Sequence, residues 1–368
     1  MIMKKHILYL ALSMILALPA MAQEEDEKLK ISGSVDTYYK YDFSGQANIG
    51  TSFGDEHNSI SIGMLDLVFE KTTGKASFLG EIAFGPRNAG SAGPPPSYTT
   101  VVTDITRDSS GSVPVFGSIG SYAPRIQNLY VSYAFNDKLS ITGGYMGTFV
   151  GYEIISPTGN FNYSTSYLFT NGPFQNAGVK LDYAFSDKFA VMVGMFNPWN
   201  VYTADPEVGP TSFGAQVYVS PVDGWDAYIN FVTGGESGTE VDLTTTFQIS
   251  DPLMLGLNAA YYTDGGEGSE EASFSGAAAY LNYSLSDAAA IGLRYEYFSA
   301  SAATGILGGV ADGNVSAVTL SGNIKGGSGL TLIPELRFDT SNQNIFLDRN
   351  GAVTGSATQF LLAAVFAF

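Results

Sequence analysis

The sequence contains no cysteine and only two histidines. Without cysteine, the chain can form no disulfide, hold no thiolate metal site and carry no lipid on a cysteine. One histidine lies in the amino-terminal segment that we predict to be removed, and His57 would then be the only one left. A zinc site needs several such ligands, and a serine hydrolase needs a serine in a nucleophile context that this chain does not offer. We therefore expect neither an enzyme nor a bound cofactor or metal.

Charge is scarce and mostly negative. Charged residues make up 14% of the chain, whereas a water-soluble protein usually carries about a quarter. Acidic residues outnumber basic ones by 35 to 17, for a net charge of −18, so nucleic acid, which requires a basic surface, is not an expected partner. No apolar run long enough for a transmembrane helix follows residue 22. So little charge indicates that much of the surface does not contact water.

The amino terminus has the pattern of an export signal. Two lysines precede the apolar residues 7–18, and small residues follow up to Ala22. The apolar part is too short to span a bilayer, so residues 1–22 are predicted to be a secretory signal peptide that is removed after Ala22. The cleavage removes two lysines and no acidic residue, which changes the net charge to −20. We expect Sec-dependent export, a short periplasmic segment at 23–29 and a single barrel domain at 30–368.

The carboxyl-terminal stretch has the pattern of a strand that faces hydrocarbon. Counting back from Phe368, alternate positions carry Phe366, Ala364, Leu362 and Phe360. A terminal phenylalanine of this kind is similar to the signal that the barrel-assembly machinery recognises in bacterial outer-membrane proteins. We therefore expect this strand to close a β-barrel in the outer membrane, with Phe368 as the assembly signal and with membrane lipids and the assembly machinery as partners.

Period-two alternation recurs along the chain between turn sequences. In residues 330–339, for example, Leu336 and Phe338 alternate with Glu335 and Arg337. Charges on one face of so apolar a strand are expected where that face lines water. The sixteen predicted strands are residues 30–43, 58–71, 76–84, 125–135, 139–150, 175–185, 189–197, 211–220, 225–233, 240–249, 253–263, 272–285, 288–299, 313–325, 329–339 and 356–368.

Short turns and long loops alternate between these strands. This alternation predicts an all-β fold, a transmembrane antiparallel up-and-down β-barrel of about sixteen strands, with short periplasmic turns and long extracellular loops. A soluble β protein with repeated hairpins is the alternative. The predicted long loops are residues 44–57, 85–124, 151–174, 198–210, 234–239, 264–271, 300–312 and 340–355.

Several segments resemble one known family. They are Ser32–Tyr41, Gly80–Gly85, Gly144–Glu153, Asn160–Phe169 and Phe196–Asn200. With these, essentially the whole mature chain resembles the putative β-barrel porin-2, OmpL-like family of outer-membrane proteins, which is common in the Bacteroidota. The resemblance implies a diffusion channel for small hydrophilic solutes with no catalytic residues. A non-conducting barrel that acts as an adhesin or as a scaffold in an envelope complex is the alternative, and a homo-oligomer is compatible with both.

Strand parity predicts which charged side chains face the lumen. Acids predominate among them, so a preference for cations or neutral solutes is expected. For Arg294 and Glu296, and for Glu335 and Arg337, we favour the alternative that they pair across neighbouring strands and mostly hold the barrel together. The candidate pore-lining residues are Asp36, Lys40, Asp66, Lys180, Asp182, Asp226, Asp242, Arg294, Glu296, Glu335 and Arg337.

Two long loops, 85–124 and 151–174, are the candidates to fold inward and narrow the lumen. The second carries aromatic and polar side chains that can stack on and hydrogen-bond to sugars. The alternative is that these side chains only pack the loop onto the barrel wall. The candidate constriction residues are Tyr152, Glu153, Asn160, Asn162, Tyr163 and Tyr167.

Overall fold

Sixteen strands form one closed antiparallel barrel, in which each strand pairs with its neighbours in sequence and the last barrel strand closes on the first. The structure is a computed structural model that describes residues 28–88, 125–234, 237–265, 272–301 and 313–368. The predicted fold class and strand number are confirmed. The predicted signal peptide and most of the predicted loops 85–124, 264–271 and 300–312 lie outside the described residues.

The barrel strands agree closely with the predicted ones. They are β1 Lys30–Asp42, β2 Ser59–Thr73, β3 Ala76–Phe84, β4 Arg125–Ala134, β5 Leu139–Gly147, β6 Gln175–Ser186, β7 Phe189–Phe196, β8 Ser212–Val219, β9 Trp225–Thr233, β10 Thr239–Ser250, β11 Leu253–Thr263, β12 Ser273–Ser286, β13 Ala289–Ser301, β14 Gly313–Gly327, β15 Leu330–Ser341 and β18 Ser356–Ala367. A two-stranded sheet of β16 Phe346–Leu347 and β17 Val353–Thr354 lies in the loop before β18. None of the helices that the structure describes is long and apolar enough to cross a bilayer.

The strands carry apolar side chains outward and polar ones inward. On β13, Leu293 and Tyr295 are exposed, whereas Arg294 and Glu296, which alternate with them, are buried. This is the reverse of a soluble protein, in which exposed faces are polar. The apolar outer surface matches the band that a transmembrane barrel presents to lipid, and it explains the low charge of the sequence.

The two rims of the barrel differ. At one rim, which we call the turn end, β1 begins, β18 ends and short turns join β2 to β3, β4 to β5 and so on to β15. The long connections lie at the opposite rim, the loop end. Tyr183 and Phe185 are exposed close to a turn and contact each other with ring centroids 4.7 Å apart. Aromatic side chains at this height are typical of the girdle at a membrane interface.

The seam between β1 and β18 depends on a glycine. The amide of Gly33 donates to the carbonyl oxygen of Phe368, and the amide of Phe368 donates to the carbonyl oxygen of Gly33, both at 3.0 Å. A Cβ at position 33 would lie 2.2 Å from the carbonyl oxygen of Asp66 on β2. Only glycine therefore fits between the two neighbouring strands at this point.

One strand boundary differs from the prediction in a way that matters for the lumen. The predicted strand 139–150 ends at Gly147, and the chain then turns into the barrel. Phe149 and Val150 continue the apolar pattern, but they are buried with Met192 and Phe196 inside the lumen rather than facing lipid. Apolar periodicity alone cannot distinguish these two environments, which is why the prediction extended the strand too far.

Candidate functional site

The connection between β5 and β6 lies inside the barrel. We call residues 148–174 the inward segment. It contains a 3-10 turn at Pro157–Gly159 and one short helix, α1 Tyr167–Asn171. The Ser166 side chain caps this helix by accepting a hydrogen bond from the amide of Phe169 at 3.0 Å.

Two wall carboxylates bind backbone amides of the inward segment. Glu335 on β15 accepts hydrogen bonds from the amides of Tyr163 at 2.7 Å and Ser164 at 3.0 Å. Glu296 on β13 accepts from the amides of Tyr167 at 2.9 Å and Leu168 at 2.8 Å. Both carboxylates are buried, and burial is tolerable only because these donors replace water. The two acids therefore hold the segment against the wall.

Two wall arginines complete this attachment. Arg294 pairs with Glu153 of the inward segment at 2.6 Å and donates to the carbonyl oxygen of Ser164 at 2.7 Å. Arg337 pairs with Asp339 on its own strand at 2.8 Å. The prediction that these arginines form ion pairs across neighbouring strands is therefore wrong, because one pairs with the inward segment and the other within its own strand. Parity shows which face a side chain is on, but not which distant segment will meet it there.

The wall on the other side of the closing strand β18 also holds the segment. The Tyr163 hydroxyl donates to a carboxylate oxygen of Asp36 on β1. Arg87, just after β3, donates through Nε to the carbonyl oxygen of Ile155 at 2.6 Å, and its guanidinium lies 4.8 Å from the centre of the Tyr163 ring. The inward segment is thus attached to one arc of the wall, which runs from β13–β15 past the closing strand β18 to β1 and the end of β3.

The candidate pore-lining residues lie on the lumen side of the wall, but in two different environments. Lys180, Asp182 and Asp226 stay partly exposed; Lys180 pairs with Asp182 at 3.1 Å, and Asp226 accepts from the Tyr218 hydroxyl at 2.7 Å. The remaining ones have side chains covered by the inward segment and neighbouring loops. These buried candidates are Asp36, Lys40, Asp66, Asp242, Arg294, Glu296, Glu335 and Arg337.

The candidate constriction residues mostly fix the segment in place. Asn162 donates to the Ser321 hydroxyl at 2.6 Å, and the Tyr167 hydroxyl donates to Asp339 at 2.9 Å. Asn160 donates to the carbonyl oxygen of Ile154 at 2.6 Å. These are the contacts that the packing alternative expects. Of the other candidate loop, 85–124, only the first residues are described.

Tyr152 is the exception among these residues. Its ring stacks on Tyr280 of β12 with centroids 4.2 Å apart, and its hydroxyl oxygen is buried with no hydrogen-bond partner. A Cβ at Gly256 of β11 would lie 2.1 Å from that oxygen. The Tyr152 ring therefore lies over Gly256, a wall residue that has no side chain. Packing, and not a hydrogen bond to its hydroxyl, holds the ring there.

Two small crevices follow the wall of β10–β12 on either side of Tyr152. Asn258 and Asp242 line one crevice together with Gly151, and Asn282 lines the other together with Tyr152 itself. On β11, Met254 pairs with Asn282 and is nearest the turn end. Gly256 follows, and Asn258 is nearest the loop end. The first crevice, the loop-side crevice, is therefore nearer the loop end, and the second, the turn-side crevice, is nearer the turn end.

Sequence reasoning missed two charged residues of this site. Arg87 lies in a connection, where strand parity gives no information. Glu240 is buried in the lumen beside the loop-side crevice. Its parity is that of Asp242 on the same strand, so the alternation that identified Asp242 also predicts an inward Glu240.

The comparisons with known proteins agree with this architecture. The model of the family described as "Putative beta-barrel porin-2, OmpL-like" matches residues 28–368. No curated protein is significantly similar in sequence. The outer membrane channel DcaP of Acinetobacter baumannii is 15% identical, with a TM-score of 0.59 over 93% of this chain and 97% of that one. An anion-selective porin from Comamonas acidovorans is 13% identical, with a TM-score of 0.59 over 94% and 100%. At such identities the structural likeness shows the fold alone.

Proposed function

The chain belongs to the putative beta-barrel porin-2, OmpL-like family, and from that premise we propose that it is an outer-membrane porin for the passive diffusion of small hydrophilic solutes. The single observation that carries the proposal is a closed sixteen-strand barrel whose apolar face points outward and whose charged face points into the lumen. Barrels of this size enclose a lumen wide enough for water unless loops fill it.

The inward segment is the constriction in this proposal. It covers the charged wall of β13–β15, which leaves the wall of β10–β12, with its two crevices, as the candidate passage. Tyr152 on Gly256 lies between the crevices and is the candidate narrow point. No hydrogen bond to its hydroxyl has to be broken when it moves, which favours this side chain as the mobile one.

A preference for cations or neutral solutes is part of the proposal. Asp242 and Glu240 line the loop-side crevice. Near the turn end, the partly exposed Asp226 adds a further negative charge to the lumen. A narrow passage with low-dielectric walls concentrates the field of such charges and raises the local concentration of cations.

A second candidate function is a non-conducting barrel that acts as an adhesin or a scaffold. The observation in its favour is that eight of the eleven candidate pore-lining residues are buried under the inward segment and its neighbouring loops. A lumen occupied in this way suits a closed barrel as well as a narrow channel.

Conductance in planar lipid bilayers distinguishes the two candidates. A porin gives discrete openings at low protein concentration, and a salt gradient then gives a reversal potential with the sign of cation selectivity. Heat-denatured protein in the same detergent is the control. The absence of openings from protein that still shows heat-dependent gel mobility would support the scaffold, and an anion-selective reversal potential would overturn the proposed preference.

Other parts of the proposal concern the route to the membrane. We infer Sec-dependent export with cleavage after Ala22, insertion by the barrel-assembly machinery through Phe368, and a source in the Bacteroidota. The division into residues 1–22, 23–29 and 30–368 belongs to the same proposal, as does association into homo-oligomers. Mass spectrometry of the mature protein tests the cleavage site directly.

A further inference from the structure

Glu240 is a buried carboxylate with an oxygen that no described residue contacts by a hydrogen bond. Only 3% of the residue is exposed, and its Oε2 atom is buried and accepts no hydrogen bond. Among the described residues it has no ion pair. The neighbouring carboxylate differs: Asp242 accepts hydrogen bonds from the amide of Gly151 at 3.1 Å and from the side chains of Asn230 at 2.6 Å and Asn258. Glu240 is therefore not part of the network that holds the inward segment.

Several buried carboxylates of this lumen have the partners that Glu240 lacks, although Asp66 also has a buried oxygen without a hydrogen bond. Glu335 and Glu296 each accept two backbone amides, and Glu153 pairs with Arg294. An ionised carboxylate that is removed from water without such partners is costly. Glu240 thus presents a negative charge or a strong acceptor that the chain itself leaves unsatisfied.

The unsatisfied oxygen belongs to a residue that lines an open space. Glu240 and Asp242 line the loop-side crevice, which has room for about one water-sized group beside the wall and opens to solvent beyond it. The crevice is also lined by Val150, Phe169 and Ala260, and Ala260 lies beside Asp242 on the neighbouring strand. The lining of the crevice is therefore partly anionic and partly apolar.

We propose that the loop-side crevice binds a primary ammonium group, with the nitrogen at Glu240 and the attached carbon chain against Val150, Phe169 and Ala260. A primary ammonium group offers three N–H donors and one positive charge, which match an unpartnered carboxylate beside a second acid. Its alkyl chain matches the apolar residues of the lining. This inference rests on the proposed porin function, since it names a solute class for the passage, but the binding itself does not require the barrel to conduct.

The described residues make a metal ion the poorer match. No group of three or more acidic or histidine side chains is arranged to hold one. Asp242 already uses both carboxylate oxygens for hydrogen bonds within the protein. An organic cation needs fewer oxygen ligands and gains from the apolar residues.

Isothermal titration of the folded barrel in detergent with n-butylammonium chloride at pH 8 tests the proposal. We expect saturable binding to the native protein, and weakening by about tenfold or more in Glu240→Gln, because the charge-assisted hydrogen bonds are lost. Glu207→Gln, the same change at an exposed loop residue of the same rim, is the matched control and should bind as the native protein does. Neutral n-butanol and anionic butyrate should show no saturable binding.

Three outcomes would overturn the proposal: no binding to the native protein, equal binding by Glu240→Gln, or equal binding of butanol. Methylammonium serves as a second probe; it should bind more weakly than butylammonium if the apolar residues contribute, and equal affinity would refute that part. Heat-dependent gel mobility establishes that each variant is folded. Bilayer conductance is measured separately, so a barrel that binds butylammonium without conducting refutes the porin function and not the site.

Discussion

Side chains of the same type have different tasks in this lumen, and their partners decide which. Tyr163 packs against Tyr38 of the wall and donates its hydroxyl to Asp36, whereas the Tyr152 hydroxyl has no partner among the described residues. The first is a structural attachment. The second contributes its ring but not its oxygen, and this difference can be measured.

Tyr152→Ala should increase single-channel conductance about twofold or more, because removal of the ring opens the space between the two crevices and pore width governs permeation. Tyr152→Phe should leave conductance unchanged, because the hydroxyl makes no hydrogen bond. Both variants are measured in planar bilayers at the same salt concentration. If Tyr152→Ala conducts as the native protein does, Tyr152 is not the narrow point.

The limits of sequence reasoning are clearest at the residue scale. Parity predicted that Arg294 faces inward, because Leu293 and Tyr295 beside it are apolar. It did not predict Glu153 as the partner, because this residue is 141 positions away in the chain. Alternation is a local signal of strand geometry, whereas an ion pair between a wall and a loop depends on the path of the whole connection.

At the scale of elements, the inward segment is held by buried charges, and the strength of that attachment is testable. Arg294→Met leaves the Glu153 carboxylate buried without its cation, which should cost about 3–5 kcal/mol of unfolding free energy. Lys30→Met is the control. The ion pair between Lys30 and Glu70 is exposed, so its removal should lower the unfolding free energy by about 1 kcal/mol or less.

Urea unfolding of the two variants, folded in the same detergent, gives the comparison. Limited proteolysis provides a second measurement, since a released inward segment should be cut within residues 148–174 in Arg294→Met only. If both variants lose the same stability and show the same cleavage pattern, the segment is not held by the buried pair.

Strands were predictable as elements, and connections were not. The pattern of 330–339, with leucines opposite Glu335 and Arg337, identified β15 almost to the residue. The end of β5 was wrong by three residues, because Phe149 fits a lipid-facing strand as well as a buried loop. The prediction that 151–174 folds into the barrel rested on the length of the loop. The hydrogen bonds that determine its position come from strands across the lumen, and the sequence of the loop does not reveal them.

At the scale of the whole molecule, the barrel closes through its last strand. The Phe368 side chain is 55% exposed and contributes little packing to the wall, so its proposed role lies in assembly rather than in stability. Phe368→Ser should lower the amount of folded barrel in outer-membrane fractions, whereas Phe368→Trp, which keeps an aromatic terminus, should not.

Quantitative blotting of membrane fractions, with heat-dependent mobility as the measure of folding, checks this expectation. Normal levels of Phe368→Ser in the outer membrane would contradict the assembly role. The native protein and Phe368→Ser, once refolded in detergent, should show the same unfolding midpoint; a large difference would indicate a structural role instead.

The seam at Gly33 and Phe368 also sets an order in time. These two residues hydrogen-bond to each other although almost the entire chain separates them. β1 therefore cannot obtain its second neighbour until β18 has been synthesised, and contacts so distant in sequence form slowly. Between export and closure, the unpaired edges of β1 and β18 are open to pairing with other chains. The same geometry that leaves the finished barrel without an edge leaves its precursor with two of them.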